Sequence, residues 1–212
     1  MASAKSTKVQ RAGKPEARQR ILDAAFSIFT RNGYAQTSTL EIATRAKVSK
    51  RDLYVLVGKK EDMLVACITE RATRLRWLQD APPPRDREAL TNTLERFGYR
   101  LLREVTDPTV VSIFRLAIAE AERAPEVART LDGIGRAASR DALGAVFTQA
   151  KASGLVRGDA AEMGRRFSAL LWGDLMLELL LCVAKRPSER ALKQQAHQAT
   201  EAFMRLYPRV DE

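Results

Sequence analysis

Two helix-start signals stand close together near the front of this chain, and their spacing limits what that region can fold into. Ser38 is followed three residues later by Glu41, and Ser49 three residues later by Asp52. In such a pair the hydroxyl accepts from a free first-turn amide while the carboxylate reaches back to the helix start. Room is left for a short helix and a turn of only a few residues. Ile42, Ala43 and Ala46 supply the inward face of the first helix; Leu53, Leu56 and Val57 supply that of the second, which Gly58 ends. Two short helices joined by so brief a turn form a helix-turn-helix pattern.

A further helix precedes the pair. From Pro15, a good first-turn residue, apolar side chains recur at Ile21, Leu22, Ala25, Ile28 and Phe29 until Asn32-Gly33 ends the run. Residues 1–14 hold Lys5, Lys8, Arg11 and Lys14 without a helical period and read as a flexible basic arm. Beyond Gly58 a long helix is expected from about Lys60 to Gln79, with Leu64, Ile68, Arg71, Leu75 and Leu78 on one stripe. It would extend roughly 30 Å before the three prolines at 82–84 stop it. Further helices are expected at about 86–106, 109–123, 125–153, 159–184 and 188–206, with no alternating strand pattern and no internal repeat. The fold class is therefore all-α, with about nine helices. A three-helix bundle over 15–60 carries the helix-turn-helix, and a larger helical body follows over 61–212.

Charge is divided in the same way. Residues 1–60 carry thirteen Lys/Arg against four Asp/Glu, while residues 61–212 carry twenty-three against twenty-two, so nearly all of the net +10 sits at the front. One end is suited to a polyanion and the other to something else; the plainer alternative is a merely soluble basic face. Cys67 and Cys182 stand far apart, and His197 is the sole histidine, so neither metal ligation nor a disulfide framework is indicated. No Gly-rich phosphate loop or other cofactor pattern is present. The most apolar stretch, Phe167 to Ala184, is interrupted by Asp174 and Glu178 and is short for a bilayer span. Without an apolar leader at the N-terminus, the chain reads as a cytoplasmic protein with no membrane partner.

A helix that reads duplex DNA aims polar side chains near its start into the major groove. Residues 49–54 supply them: Ser49 at the cap, Lys50 and Arg51 as long donors for base edges or phosphates, and Tyr54 one turn on with a hydroxyl for a phosphate. Thr37 and Ser38 at the start of the preceding helix, and Lys60 at the start of the following one, are placed for phosphate contacts. The alternative for each is an ordinary cap or a solvated lysine.

The run Ile21-Leu22-Asp23-Ala24-Ala25 through Phe29, then Gly33-Tyr34, Thr37-Ser38, Ile42-Ala43, Ala46-Lys47-Val48-Ser49, Leu53-Tyr54 and Lys60-Glu61 resembles the TetR-family N-terminal domain over about residues 17–65. The resemblance implies a transcriptional regulator, most often a repressor, that binds a palindromic duplex operator as a homodimer and answers to a small molecule. Three places depart from the family pattern. Lys47 stands where glycine is usual, so either the turn does not need a positive φ or a lysine accepts one at some cost. Leu56-Val57 replaces an aromatic pair, and Thr39-Leu40 replaces an apolar and polar pair.

For the body, Trp172, Leu175, Met176 and Leu179, with Ala199 and Phe203 on the last helix, are the candidate dimer face, the penultimate helix being apolar nearly all round. Asp174 and Glu178 read as a polar pair in that face, set against Arg165 or Arg166 of a second copy. No nucleophile or metal ligand accompanies them, so no catalytic residue is assigned. Phe97, Leu101, Phe114, Ile118, Phe147 and Trp172 are candidates to line a cavity for a small apolar or amphipathic ligand, the plain alternative being core. The segment Phe114-Arg115-Leu116-Ala117-Ile118-Ala119-Glu120-Ala121 with Pro125-Glu126 also resembles the AefR-like C-terminal domain over about 95–185. Two other readings stay open: a DNA-binding regulator without an inducer, either constitutive or redox-controlled through Cys67 or Cys182, and a helical enzyme.

Overall fold

The computed structural model describes residues 3–72 and 82–208, with 3–12, 71 and 72 as backbone alone. Among the described residues there are helices and turns and no strand. The helices are α1 (Ser3–Asn32), α2 (Thr39–Ala46), α3 (Lys50–Leu56), α4 (Lys60–Ala72), α5 (Arg87–Val105), α6 (Pro108–Ala119), α7 (Pro125–Thr130), α8 (Ala137–Ala152), α9 (Ala160–Trp172), α10 (Leu175–Leu180) and α11 (Glu189–Leu206). A π-helical turn, Leu131–Arg136, joins α7 to α8.

The all-α expectation holds, but three boundaries differ from the periodicity reading. First, α1 starts ahead of Pro15, which lies inside it. Ala4, Lys5, Lys8, Gln10, Arg11 and Ala12 are good helix formers with no apolar face to bury, so propensity supports a helix that a search for periodicity passes over. Second, the helix expected over 125–153 is interrupted by the π turn, which contains Gly133 and Gly135. Third, the helix expected over 159–184 ends at Gly173 (φ +45°, ψ −135°) and resumes only as the short α10. That backbone geometry favours glycine. The last two interruptions account for eleven α-helices where nine were expected. Leu75 and Leu78, part of the stripe assigned to the long fourth helix, lie outside the described residues.

The chain divides into two compact units. One comprises residues up to Glu70 together with Arg115–Ile134; the other comprises Arg71–Phe114 and Gly135 onward. In the first unit Ile21, Leu22, Ile28 and Phe29 of α1, Ile42 of α2, Leu53 of α3 and Met63 and Ile68 of α4 are buried together. Burying each large side chain contributes about 1.5–3 kcal/mol. The α4 side chains belong to this packing, so the unit extends past residue 60.

The second unit is built on a cluster of aromatic rings. Phe147 lies 4.8 Å from Phe203 and 6.4 Å from Phe167, and Phe97 also stands 6.4 Å from Phe167. Arg87, at the start of α5, donates to the carbonyls of Leu155, Tyr207 and Met204, which fastens the end of α11. His197 Nδ1 of α11 lies 2.7 Å from Glu95 Oε1 of α5, and this hydrogen bond holds the imidazole above its ordinary pKa.

Gly98 lets α5 approach α9 and α11: a Cβ there would lie 2.9 Å from Leu171 Cδ1 and 3.3 Å from Ala196 Cβ. The leucine tip can shift, but the Ala196 Cβ is fixed to the α11 backbone. Gly98→Leu is expected to destabilise the protein by about 1–3 kcal/mol through overpacking. Urea unfolding checks this as a lower midpoint with an unchanged slope.

Candidate nucleic-acid interface

Both start signals operate locally. Ser38 Oγ accepts from the Glu41 amide at 3.1 Å, and Ser49 Oγ accepts from the Asp52 amide at 3.0 Å. The carboxylates behave differently from each other. Asp52 Oδ2 receives the Ser49 hydroxyl at 2.6 Å, whereas Glu41 Oε1 receives the Asn32 side-chain amide at 3.0 Å. Glu41 therefore ties the end of α1 to α2 instead of completing a reciprocal cap.

Between α2 and α3 the chain turns at Lys47, whose φ of 55° and ψ of 48° are left-handed. Its amide donates to Thr44 O and that of Val48 to Ala43 O, closing the end of α2. Of the alternatives left by the missing glycine, the second is the one found: the turn needs a positive φ and a lysine adopts it. Arg20 Nε donates to Ala46 O at 3.3 Å, so a cation of α1 satisfies a carbonyl at the same helix end.

The turn between α1 and α2 is gripped from two sides. Lys60 Nζ donates to Tyr34 O at 2.9 Å and Ala35 O at 3.3 Å, and lies 4.5 Å from the centre of the Tyr34 ring. The Ala35 amide donates to Glu120 Oε1 at 3.4 Å, and a Cβ on Gly33 (φ +87°) would meet the same oxygen at 2.7 Å. Glu120, just past α6, is buried, as is Tyr34. Burial, reinforced by the charges of Glu126, Glu61 and Asp62, pushes the Tyr34 phenol up to about 12. It stays protonated at any working pH.

The residues singled out from sequence fall into two groups. Thr37 is buried, with its hydroxyl donating to Gly33 O at 2.7 Å, and Lys60 is engaged by the α1–α2 turn; both hold the turn. Ser38, Ser49, Lys50, Arg51 and Tyr54 are exposed on α2, α3 and their caps. The hydroxyls of Tyr54 and Thr39 lie 3.2 Å apart, fixing the tyrosine against the start of α2. Sequence reasoning missed Thr39 as this partner, Glu120 as a clasp and Val55 as an exposed side chain. For Val55 the signal was available, because it lies opposite Leu53 on the helical wheel.

In the second unit, Phe97, Leu101 and Phe147 are fully enclosed core residues. Phe114 is half-buried and meets Trp172 edge-on at 6.3 Å, while Ile118 is exposed and belongs to the first unit. Leu175, Met176, Leu179, Ala199 and Phe203 are also core residues of this chain, and Trp172 packs partly buried against them. The exposed apolar side chains on and after the same helices are Leu177, Leu181, Val183 and Leu206. Arg165 and Arg166 both pair with Glu162 of their own helix. Cys67 is buried and Cys182 exposed.

Two short capped helices joined by a tight turn, with Lys50 and Arg51 exposed on the second, have the form of a helix-turn-helix DNA-binding protein. The chain belongs to the TetR family. The family model for the N-terminal region, described as bacterial regulatory proteins of the tetR family, matches residues 21–67, and that of the AefR-like transcriptional repressor C-terminal domain matches residues 92–209. This family consists of transcription regulators, not enzymes. The HTH-type transcriptional repressor Rv3405c of Mycobacterium tuberculosis is 31% identical over 122 residues, spanning 58% of this chain and 61% of that protein. The chain thus spans less than two thirds of this curated relative's length. Among solved structures, a putative TetR-family regulator from Mesorhizobium loti is 25% identical with a TM-score of 0.74, covering 92% of this chain and 98% of its own. The flavonoid-responsive regulator FrrA is 25% identical with a TM-score of 0.74, covering 91% and 97%. No described helix is long and apolar enough to cross a membrane.

The left-handed lysine yields a direct test. A non-glycine residue in this conformation costs about 1–2 kcal/mol, part of which glycine returns as extra freedom of the unfolded chain. Lys47→Gly is expected to stabilise the protein by up to about 1 kcal/mol, read as a raised urea midpoint.

Proposed function

We propose that this chain is a repressor that acts as a homodimer on a palindromic duplex operator in the cytoplasm. Release from DNA follows when a small apolar or amphipathic ligand binds the second unit. The observation carrying the DNA half of this reading is the division of labour among the cations. Lys60 and Arg20 are held by backbone carbonyls, while Lys50 and Arg51 are exposed on α3 with no described partner. Ser38 and Tyr54 flank them with hydroxyls for phosphates, and Ser49 would join them by releasing the hydrogen bond it gives Asp52.

One α3 covers only a few base pairs, so a second copy provides the affinity and the palindrome. The face offered to it is Leu177, Leu181, Val183 and Leu206, whose exposure of 56–73% leaves them without cover in a single chain. For the ligand, the half-buried pair Phe114 and Trp172 is the favoured contact, and the similarity to FrrA, a regulator described as flavonoid-responsive, supports an aromatic or amphipathic molecule. A second reading, a DNA-binding regulator without an inducer, is favoured by one observation. The rings of Phe97, Phe147, Phe167 and Phe203 fill the interior that a ligand would occupy.

Lys50→Ala and Tyr54→Ala are each expected to weaken duplex binding at least tenfold, about 1.4 kcal/mol. The check is fluorescence anisotropy at fixed salt with an operator selected from a random duplex pool. Unchanged affinity in both variants would remove α3 as the reading helix.

A further inference from the structure

We propose that Val55 is a specificity-determining residue that recognises the C5-methyl group of a thymine in the operator, within about two base pairs of a guanine read by Arg51. The inference rests on the DNA-binding reading above and adds to it a base identity and the residue that selects it.

Leu53 is completely buried and anchors α3 to the first unit. At 100° per residue, Arg51 and Val55 lie about 160° to either side of it, which places both on the outward face. Val55 is 72% exposed. The two side chains also line the same open cleft, of about 720 Å³, together with Lys14, Thr44 and Lys47. The outward face of the reading helix is thus a long cationic fork beside a short apolar knob, flanked by the two lysines.

A valine in this position buries little of its side chain in the fold. It has lower helix propensity than alanine, and α3 has only seven residues in which to absorb the penalty. Its physical use lies outside the chain. In the major groove thymine is the only base to present a methyl group, whereas guanine presents two acceptors that suit an arginine fork. Four residues of helix advance about 6 Å, and successive bases on a strand are about 3.4 Å apart. This sets the spacing of about two base pairs between the guanine and the thymine. Asp52 also lines the cleft, and its Oδ2 accepts the Ser49 hydroxyl at 2.6 Å, which draws the carboxylate toward the start of α3.

The test uses the full-length chain. Binding sites are selected from a random duplex pool, and each thymine of the enriched half-site is then replaced singly by deoxyuridine, which removes only the methyl group. One thymine, within two base pairs of a guanine whose preference is lost in Arg51→Ala, is expected to lose about threefold to tenfold in affinity on becoming uracil, as befits one buried methyl. Val55→Ala is expected to bind the thymine and uracil sites equally, and Val55→Ile to restore the difference. An enriched site indifferent to uracil at every thymine, or a uracil penalty that survives Val55→Ala, overturns the role of Val55 and leaves DNA binding intact. Failure to enrich any sequence overturns the DNA-binding reading and this inference with it.

Discussion

The reading helix depends on a grip applied elsewhere, at the turn between α1 and α2. Lys60 donates to the carbonyls of Tyr34 and Ala35, and Glu120 accepts the Ala35 amide. A seven-residue helix has no independent stability, because nucleation costs more than two turns return. The burial of Leu53 and the Tyr54–Thr39 hydroxyl pair hold α3 in place, and α2 follows from the turn that precedes it. Glu120 comes from a segment eighty-five residues further along the chain. The reader is therefore completed by residues of the C-terminal half, and Arg115–Ile134 belongs to its compact unit.

This arrangement sorts the cations that composition lumps together. The front of the chain carries a large positive excess, and each Lys or Arg there has the same standing in a sum. In the fold, Arg20 and Lys60 donate to carbonyls, while Lys14, Lys47 and Arg51 are exposed around one cleft and Lys50 is exposed on α3 beside it. The first pair holds the turns around α2, and the others are the cations left exposed for the DNA contact proposed above.

What could be read from sequence was local in origin. Caps at Ser38 and Ser49 act within three residues, and the apolar period of Ile21, Leu22, Ile28 and Phe29 marks a face regardless of what covers it. The inward turn of Thr37 and the capture of Lys60 were not legible, since their environment is set by packing in three dimensions. In the body, periodicity identified the apolar faces but not their partners. Leu175, Met176 and Leu179, expected at a dimer face, are buried in the core of this chain just beyond the break at Gly173. The start of α1 was missed for the opposite reason, a helix with propensity but no period.

Whether Lys60 builds the reader while Lys50 meets the DNA is read from the salt dependence of binding to a non-specific duplex. Each cation that neutralises a phosphate adds close to one to the slope of log K against log salt. Lys60→Met is expected to leave this slope as in the parent while lowering stability, and Lys50→Met to reduce it by about one. A slope reduced by Lys60→Met and untouched by Lys50→Met would contradict this assignment.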